Sequence, residues 1–403
     1  MKRLKYVDTY CHGAFHEMFN ASLLTLCALA GERVDYIASR HTIEAVMARV
    51  KGALDLGKVR LKRIFVPAGY GHPLPVAVRY LLGVVCNMWH VLVTSSSVPL
   101  IFNYNNAFAL RGMNWLARVF NRKVIVFCHG EIELLSPECK EHMGPIARCL
   151  QKRLTAFFVR KKTGFAAGLK FVVLGDSILS NLKSRVSSAA FERFCSLDHP
   201  FLFPVEEGEG ATLLEDGLSV SKKEISPLKF GTIGTMKQAK GLDNFLRFLE
   251  VIHPSSVSVK IIGRLEGDQQ VKKIEQRGVE IFPGGNMFLP REELERRIGE
   301  LDYILYFYYS DSYRLIASGA IFDAVVARRP VLALHNDFFD YLFHKFGDFG
   351  YLELTPEAMA ARAEKLVSAG DSRYSEFMDN IRKLRQALHP NALLKDFNRL
   401  LIF

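Results

Sequence analysis

The residues most able to do chemistry lie in the stretch YILYFYYSDSYRLIASGAIFDAVVARRPVLAL, Tyr303 to Leu334. An apolar aromatic run gives way to a polar turn, then a short helical pattern over Gly319 to Arg328, then a second apolar run after Pro330. The type of Ser318 predicts an N-cap, and Gly319 predicts a first-turn residue that other groups can approach closely. The amides of such a helix start can hold an anion. Asp323 falls one turn into the helix, within reach of whatever those amides hold, and is otherwise a solvated carboxylate or the partner of a nearby arginine. Arg328 and Arg329 sit where the macrodipole favours cations.

A strand, loop, helix and strand in succession imply a parallel sheet, and the same alternation runs through most of the chain. The 403 residues, 49% hydrophobic, suffice for two domains with full cores. The net charge of +11 is unevenly placed. Residues 1–200 hold 27 Lys+Arg against 13 Asp+Glu, a net +14, and the remainder 26 against 29, a net −3. The basic N-terminal half calls for an anionic partner, and no recognised nucleic-acid motif organises its charge. Seven cysteines, an odd number without a CxxC pair, fit a reducing compartment and read as small buried hydrophobes. The N-terminus lacks the apolar core of a signal peptide, and Leu81 to Val93 is too short to span a bilayer. A cytoplasmic protein is expected, attached at most to the inner face of the cell membrane. The apolar residues Ile146, Leu150, Leu154, Phe157 and Phe158 recur among basic ones over Pro145 to Lys162. That pattern marks either a membrane-surface helix or an ordinary core-facing one.

The text SGAIFDAVVARRPVLA resembles the nucleotide-sugar site of GT-B glycosyltransferases, family 4 above all. The resemblance implies an α/β GT-B fold, two Rossmann-like domains facing each other across a cleft. The expected division is an acceptor-binding domain over 1–204, a linker over 205–226, and a donor-binding domain over 227–403 whose terminal helix returns to the first. It implies that Asp323 accepts hydrogen bonds from the donor's ribose. The family's other motif glutamate would lie eight residues earlier, where this chain has Leu315, so sugar contacts fall to Tyr313, Arg314 or Ser318 with Gly319. The segment LKFGTIGTMKQAKGLDNF resembles the family's phosphate-contacting loop, with Gly234, Thr235, Lys237 and Lys240 on the donor diphosphate and Lys240 catalytic. Phe282 to Phe288 become candidates for the nucleotide base.

In the first half, CHGAFHEMFN and the HGEIE that follows Lys123 to Cys128 resemble family loops at the cleft. They make His12, Gly13, His16, His129 and Glu131 acceptor-side candidates, with Glu133 an alternative acid or base. His129 would bond a sugar hydroxyl or manage the acceptor's proton. Val91 to Ser95 is expected to enter a strand, with Thr94 to Ser97 and Asn103 to Asn106 lining the sheet's C-terminal edge. The implied activity is transfer of a sugar from a nucleotide diphosphate-sugar to a hydroxyl of a glycan or lipid-linked acceptor, with retention, in surface polysaccharide synthesis. The nucleotide-sugar is a co-substrate, and no metal cofactor is required. Rival readings are a GT-B nucleotide-sugar epimerase and a non-catalytic nucleotide- or lipid-binding homologue. An NAD oxidoreductase fits less well, because GTIGTMKQAKG lacks GxGxxG spacing.

Overall fold

Two parallel sheets organise the chain. A computed structural model describes residues 3–69, 73–136, 144–160, 164–203, 228–253, 257–266, 268–283 and 289–403. The chain divides into two compact units: Met1–Leu202 with Tyr313–Ala317 and Gln386–Phe403, and Phe203–Ser312 with Ser318–Arg385. The expected linker, 205–226, lies outside the described residues. The expected division assigned Tyr313–Ala317 to the second domain, and here it forms part of the first unit.

In the first unit the elements run β1 (Arg3–Val7), α1 (Glu17–Ala30), β2 (Arg33–Ser39), α2 (Arg40–Val50), β3 (Val59–Ile64) and α3 (Pro73–Val93). There follow β4 (Leu100–Phe102), α4 (Leu110–Val119), β5 (Val124–Phe127), α5 (Pro145–Leu154), β6 (Leu169–Val173), α6 (Asp176–Leu182), α7 (Ser188–Phe191) and β7 (Phe194–Ser196). The sheet order is β3-β2-β1-β4-β5-β6-β7, all parallel. Its central strands are buried on both faces, which is why VIVF in β5 reads as a continuous apolar run. The order reverses between β1 and β4, so the crevice rule for open sheets points to the loops after those two strands.

The buried polar residues of α1 are matched. Asn20 accepts from the Tyr6 hydroxyl at 2.7 Å and from the Asn103 amide at 2.8 Å, and donates to Asp8 at 2.9 Å. Asp8 also accepts the backbone N–H groups of Tyr10 and Cys11, fixing the loop after β1. Each such group left unmatched would cost about 1–3 kcal/mol. The terminal helix α15 (Pro390–Leu400) packs Leu393, Phe397 and Leu400 into the same core as α1.

The second unit holds β8 (Lys229–Met236), α8 (Leu242–Val251), β9 (Ser258–Leu265), α9 (Asp268–Glu275), β10 (Glu280–Pro283), α10 (Arg291–Gly299) and β11 (Tyr303–Tyr306). Next come α11 (Ile321–Val326), β12 (Val331–Leu334), α12 (Asp337–Phe346), β13 (Gly350–Glu353), α13 (Pro356–Ala369) and α14 (Tyr374–Leu388). The strand order is β10-β9-β8-β11-β12-β13, again all parallel. Here the reversal lies between β8 and β11, so the loop carrying Lys237 and Lys240 sits at the switch point.

Several expectations are corrected. Val91 to Val93 end α3, and the next strand is Leu100–Phe102, so Thr94 to Ser97 precede β4 at the sheet's N-terminal edge. Asn103 to Asn106 do follow β4. The sequence predicts a strand over Lys229 to Ile233 and a loop over Gly234 to Lys240; β8 instead extends to Met236, because Gly234 pairs with Gly263 of β9 and two glycines let the backbones pass closely. The helix expected over Gly319 to Arg328 is the six-residue α11, and Ala320, not Ser318, occupies its N-cap. The helical segment from Pro145 turns Leu150, Leu154, Phe157 and Phe158 into the core, which makes it the core-facing alternative. Cys149 on that helix is exposed, unlike the buried Cys11, Cys27 and Cys128, because it falls on the solvent side of α5. Cys139 lies outside the described residues.

Candidate functional site

In the first unit the loops after β1, β4 and β5 gather a cluster of rings and one carboxyl group. Tyr10 stacks on Tyr104 with centroids 3.8 Å apart and planes 1° from parallel. The Tyr104 and Tyr80 hydroxyls meet at 2.6 Å. Glu131, in a two-turn 3-10 helix over Gly130–Leu135, lies against the Tyr104 hydroxyl, and its Oε2 is buried without a hydrogen-bond partner. Burial pushes the Glu131 carboxyl up to about 7, with the Tyr104 hydrogen bond opposing the rise. Glu133 is committed elsewhere: its Oε2 accepts the Leu315 amide at 2.8 Å.

His129 packs edge-on against Phe19 at 4.4 Å and lies 5.1 Å from the His16 ring. Burial, with His16 and His199 adding like charge, holds its imidazolium form well below the usual range. His129 is therefore neutral at physiological pH, a hydrogen-bonding group and a weak base. His199, which no sequence signal marked, also packs edge-on against Phe19 at 5.3 Å. His12 is tied to the Val66 carbonyl at 3.0 Å and lies 4.8 Å from the His41 ring. Gly13 and His16 both take left-handed backbone, so a tight reversal carries the chain from β1 into α1. Asn105 is fully buried, and neither atom of its amide makes a hydrogen bond.

In the second unit Lys237, Lys240 and Gly241 form the turn from β8 into α8. Lys240 N–H donates to the Lys237 carbonyl at 2.8 Å, closing one helical turn over Gln238–Lys240. Gly241 then adopts φ 83°, and a Cβ there would stand 1.8 Å from the Phe307 carbonyl oxygen. Only glycine lets α8 start this close to the end of β11. Burial depresses the Lys240 ammonium, Lys237 adds to the effect and Glu266 opposes it. Two cations beside the positive end of a ten-residue helix make an anion site in which one charge is already short of solvent. Gly234 is exposed with open space around it, and Thr235 is half-buried.

Asp323 is in an ion pair. Its Oδ1 accepts from Arg291 Nη1 at 2.6 Å, the two side chains being 19% and 17% exposed. Burial raises the Asp323 carboxyl and Arg291 pulls it back. Arg291 Nη2 is buried with no partner, a donor aimed at nothing in the chain. Ser318 is buried with its hydroxyl turned to that of Tyr308 at 3.4 Å, and Gly319 is exposed with nothing near it. Neither caps α11, because the chain bends once more before the helix begins. Phe282 lies beneath the Arg297 guanidinium at 3.8 Å. Residues 284–288 of the expected base site lie outside the described residues.

Tyr313, Arg314 and Leu315 do not join this second group. Tyr313 takes left-handed backbone, the Arg314 carbonyl accepts from Asn181 at 2.9 Å, and Leu315 is buried in the core of the first unit. The glutamate-to-leucine departure thus coincides with an apolar anchor. Among the described residues no three His, Cys, Asp or Glu side chains gather to hold a metal ion.

This architecture recurs along the full chain in solved structures. Anabaena Alr3699/HepE, crystallised with UDP and glucose, superposes with TM-score 0.61 at 14% identity over 99% of both chains. WaaG, a glycosyltransferase of lipopolysaccharide biosynthesis, gives 0.58 at 13% over 99% of both. The galactosyltransferase WaaB of the lipopolysaccharide outer core gives 0.53 at 11%, over 99% of this chain and 98% of its own. The fold is that of the GT-B glycosyltransferases. No family model matches the sequence, and no curated protein matches it.

What sequence reasoning missed in this GT-B chain is mostly partnership. Arg291 precedes Asp323 by 32 residues, and nothing in REELERRIG marks its first residue. The Tyr10, Tyr80 and Tyr104 cluster is drawn from three separate loops and helices, each an ordinary aromatic position when read alone.

Proposed function

We propose that this chain is a glycosyltransferase that moves a sugar from a nucleoside diphosphate donor to a hydroxyl of a glycan or lipid-linked glycan, with retention, in surface polysaccharide synthesis. The observation that carries the reading is the Lys237 and Lys240 pair at the switch point of the second sheet, ahead of α8. The GT-B fold of the whole chain and the nucleotide complexes of its structural neighbours support it.

In the reaction the bond from the sugar's anomeric carbon to the diphosphate breaks, and its electron pair leaves with the diphosphate. The acceptor oxygen forms the new bond and gives up its proton. Lys237 and Lys240 offset the charge that grows on the leaving group. Asp323 accepts from the ribose hydroxyls while Arg291 keeps it ionised. On the acceptor side Glu131, near 7, is poised to take a proton, and neutral His129 orients a hydroxyl.

A thermal-shift screen against UDP, GDP, ADP, CMP and their sugar conjugates, with NAD as control, tests this reading. One nucleoside diphosphate is expected to raise the melting temperature and to lose that effect in Lys240→Ala. A response to NAD alone, or to none, would overturn it. Conversion of the sugar conjugate without any acceptor would identify an epimerase.

A further inference from the structure

Helix α3 buries polar residues beside Tyr80 and Val91 on its inward side and exposes an apolar stripe on its outward side. Its 21 residues, about 31 Å long, carry one formally charged side chain, Arg79, and that one is buried. The inward side holds Arg79, Asn87 and Gly83 against the sheet. Arg79 donates to the Pro67 carbonyl at 2.6 Å and lies over the Tyr10 ring at 5.2 Å, and Asn87 accepts from the Thr9 hydroxyl at 2.9 Å. The outward side holds Leu74, Val78, Leu81, Val85, Trp89 and Leu92, spaced three and four apart on one face. Leu81 is 64% exposed, Val85 69% and Trp89 58%. A continuous apolar stripe of this length is unusual on a surface that meets only water.

Length and composition would let this helix cross a membrane. Its packing gives it a different place, since the inward side is locked to the sheet as the crossover from β3 to β4. It therefore lies along the surface of the unit. The neighbouring helix α4 extends the face with Trp115, 60% exposed, placed four residues after Arg111 and three before Arg118. These are the chain's only two tryptophans, and both are on this face.

The charge around the stripe has one sign. From Leu56 to Gly130 the chain has no Asp or Glu, yet it has nine Lys and Arg: Arg79, four on or beside β3, and four on or after α4. Among the described residues Arg60, Arg111 and Arg118 make no ion pair with a carboxylate, Arg111 and Arg118 donating to the Ala156 and Gly164 carbonyls, whereas Arg63 faces Glu44 on the α2 side of the edge strand. Apolar side chains, tryptophans at the margin and unneutralised arginines are the combination that suits the headgroup boundary of an anionic bilayer. We infer that the α3–α4 face docks in plane on an anionic lipid surface, with the α3 stripe among the upper acyl chains and the arginines at phosphate level. This differs from the helix that begins at Pro145, whose apolar side is spent on the core.

The test uses the full chain with vesicles of phosphatidylcholine alone or mixed with phosphatidylglycerol, read by flotation and by tryptophan emission. Binding to the anionic vesicles, a blue shift of emission and weakening by salt are expected. Leu81→Ser with Val85→Ser, and separately Arg111→Glu with Arg118→Glu, should each reduce binding more than about tenfold while leaving the melting temperature of the free protein within a few degrees. Absence of binding to anionic vesicles, or equal binding to both kinds, would overturn the inference. So would a blue shift without lipid that follows protein concentration, which would assign the face to a second copy of the chain. None of these readouts depends on turnover, so the lipid surface and the sugar transfer can fail separately.

Discussion

Arg291 donates to Asp323 at 2.6 Å and to Glu295 at 2.5 Å, so one half-buried guanidinium bridges α10 to α11. Removing the carboxylate in Asp323→Ala leaves this cation with Glu295 as its remaining carboxylate partner, at a cost of roughly 1–3 kcal/mol in thermal unfolding. The nucleoside diphosphate shift should vanish as well. Arg291→Met with Asp323→Ala separates the two effects: stability should largely return, and the ligand shift should not. A recovered shift in the double variant would confine Asp323 to pairing with Arg291.

Lys240→Ala should act in the opposite sense on the free protein. Burial disfavours its ammonium, so loss of the charge leaves the melting temperature unchanged or slightly higher. Turnover should fall about a hundredfold or more, as for loss of one preorganised group facing developing charge. Near-normal turnover would refute the role, and the unchanged melting curve guards against misfolding as the explanation.

The sequence was most legible where one period dominates. Helical spacing over Glu17 to Ala30 and Asp337 to Phe346 and the apolar run Val331 to Leu334 predict α1, α12 and β12 at the bounds observed, because each pattern has clear ends. The sequence predicts the third strand at Arg63 to Val66 where β3 spans Val59–Ile64, since an edge strand reading VRLKRI alternates apolar and basic residues and hides among polar segments. The sequence predicts a helix over Val76 to Trp89 where α3 spans Pro73–Val93, because Pro73 and Pro75 look like punctuation and its last branched residues mimic a strand. The lysine and glycine pattern after β8 could be read directly, since backbone geometry demands those types. The unpartnered oxygen of Glu131 and the pairing of Asp323 could not, because both arise from residues distant in sequence.

Leu315 is embedded in the core of the first unit, and its amide bonds Glu133. Leu315→Glu would place a second carboxyl group beside Glu133 in an apolar setting. Destabilisation of about 3 kcal/mol or more is expected, growing with pH as the buried acid is forced to ionise. Leu315→Met should cost less than about 1.5 kcal/mol. Calorimetry at several pH values distinguishes this from a tolerant surface loop, where both variants would melt alike.

Gly241→Ala probes the approach of α8 to β11. The added Cβ would meet the Phe307 carbonyl oxygen at 1.8 Å, and φ of 83° already disfavours a side chain. Backbone must move on one side or the other, costing roughly 3 kcal/mol or more and displacing Lys240 from its turn. Gly234→Ala has open space for its Cβ and only the φ strain to bear, so it should be much milder. Equal loss of stability in the two variants would show that the close approach does not govern this turn.

Glu131 gives a pH signature with a definite sign. Its folded carboxyl is raised to about 7, above its unfolded range, so the unfolded chain binds fewer protons between about 4.5 and 7 and stability falls with rising pH in that window. Glu131→Gln removes the penalty. The variant should match the parent near pH 4.5 and melt several degrees higher at pH 8. For turnover the sign reverses, because a proton acceptor must be ionised: parent activity should climb through pH 7 and level off, and the Gln variant should be slow and flat. His129 cannot supply that rise, since its imidazole is already neutral well below pH 6.5. If the Gln variant keeps the climb, the proton goes elsewhere; if it keeps the rate but gains the stability, the carboxyl is only a strained bystander beside Tyr104.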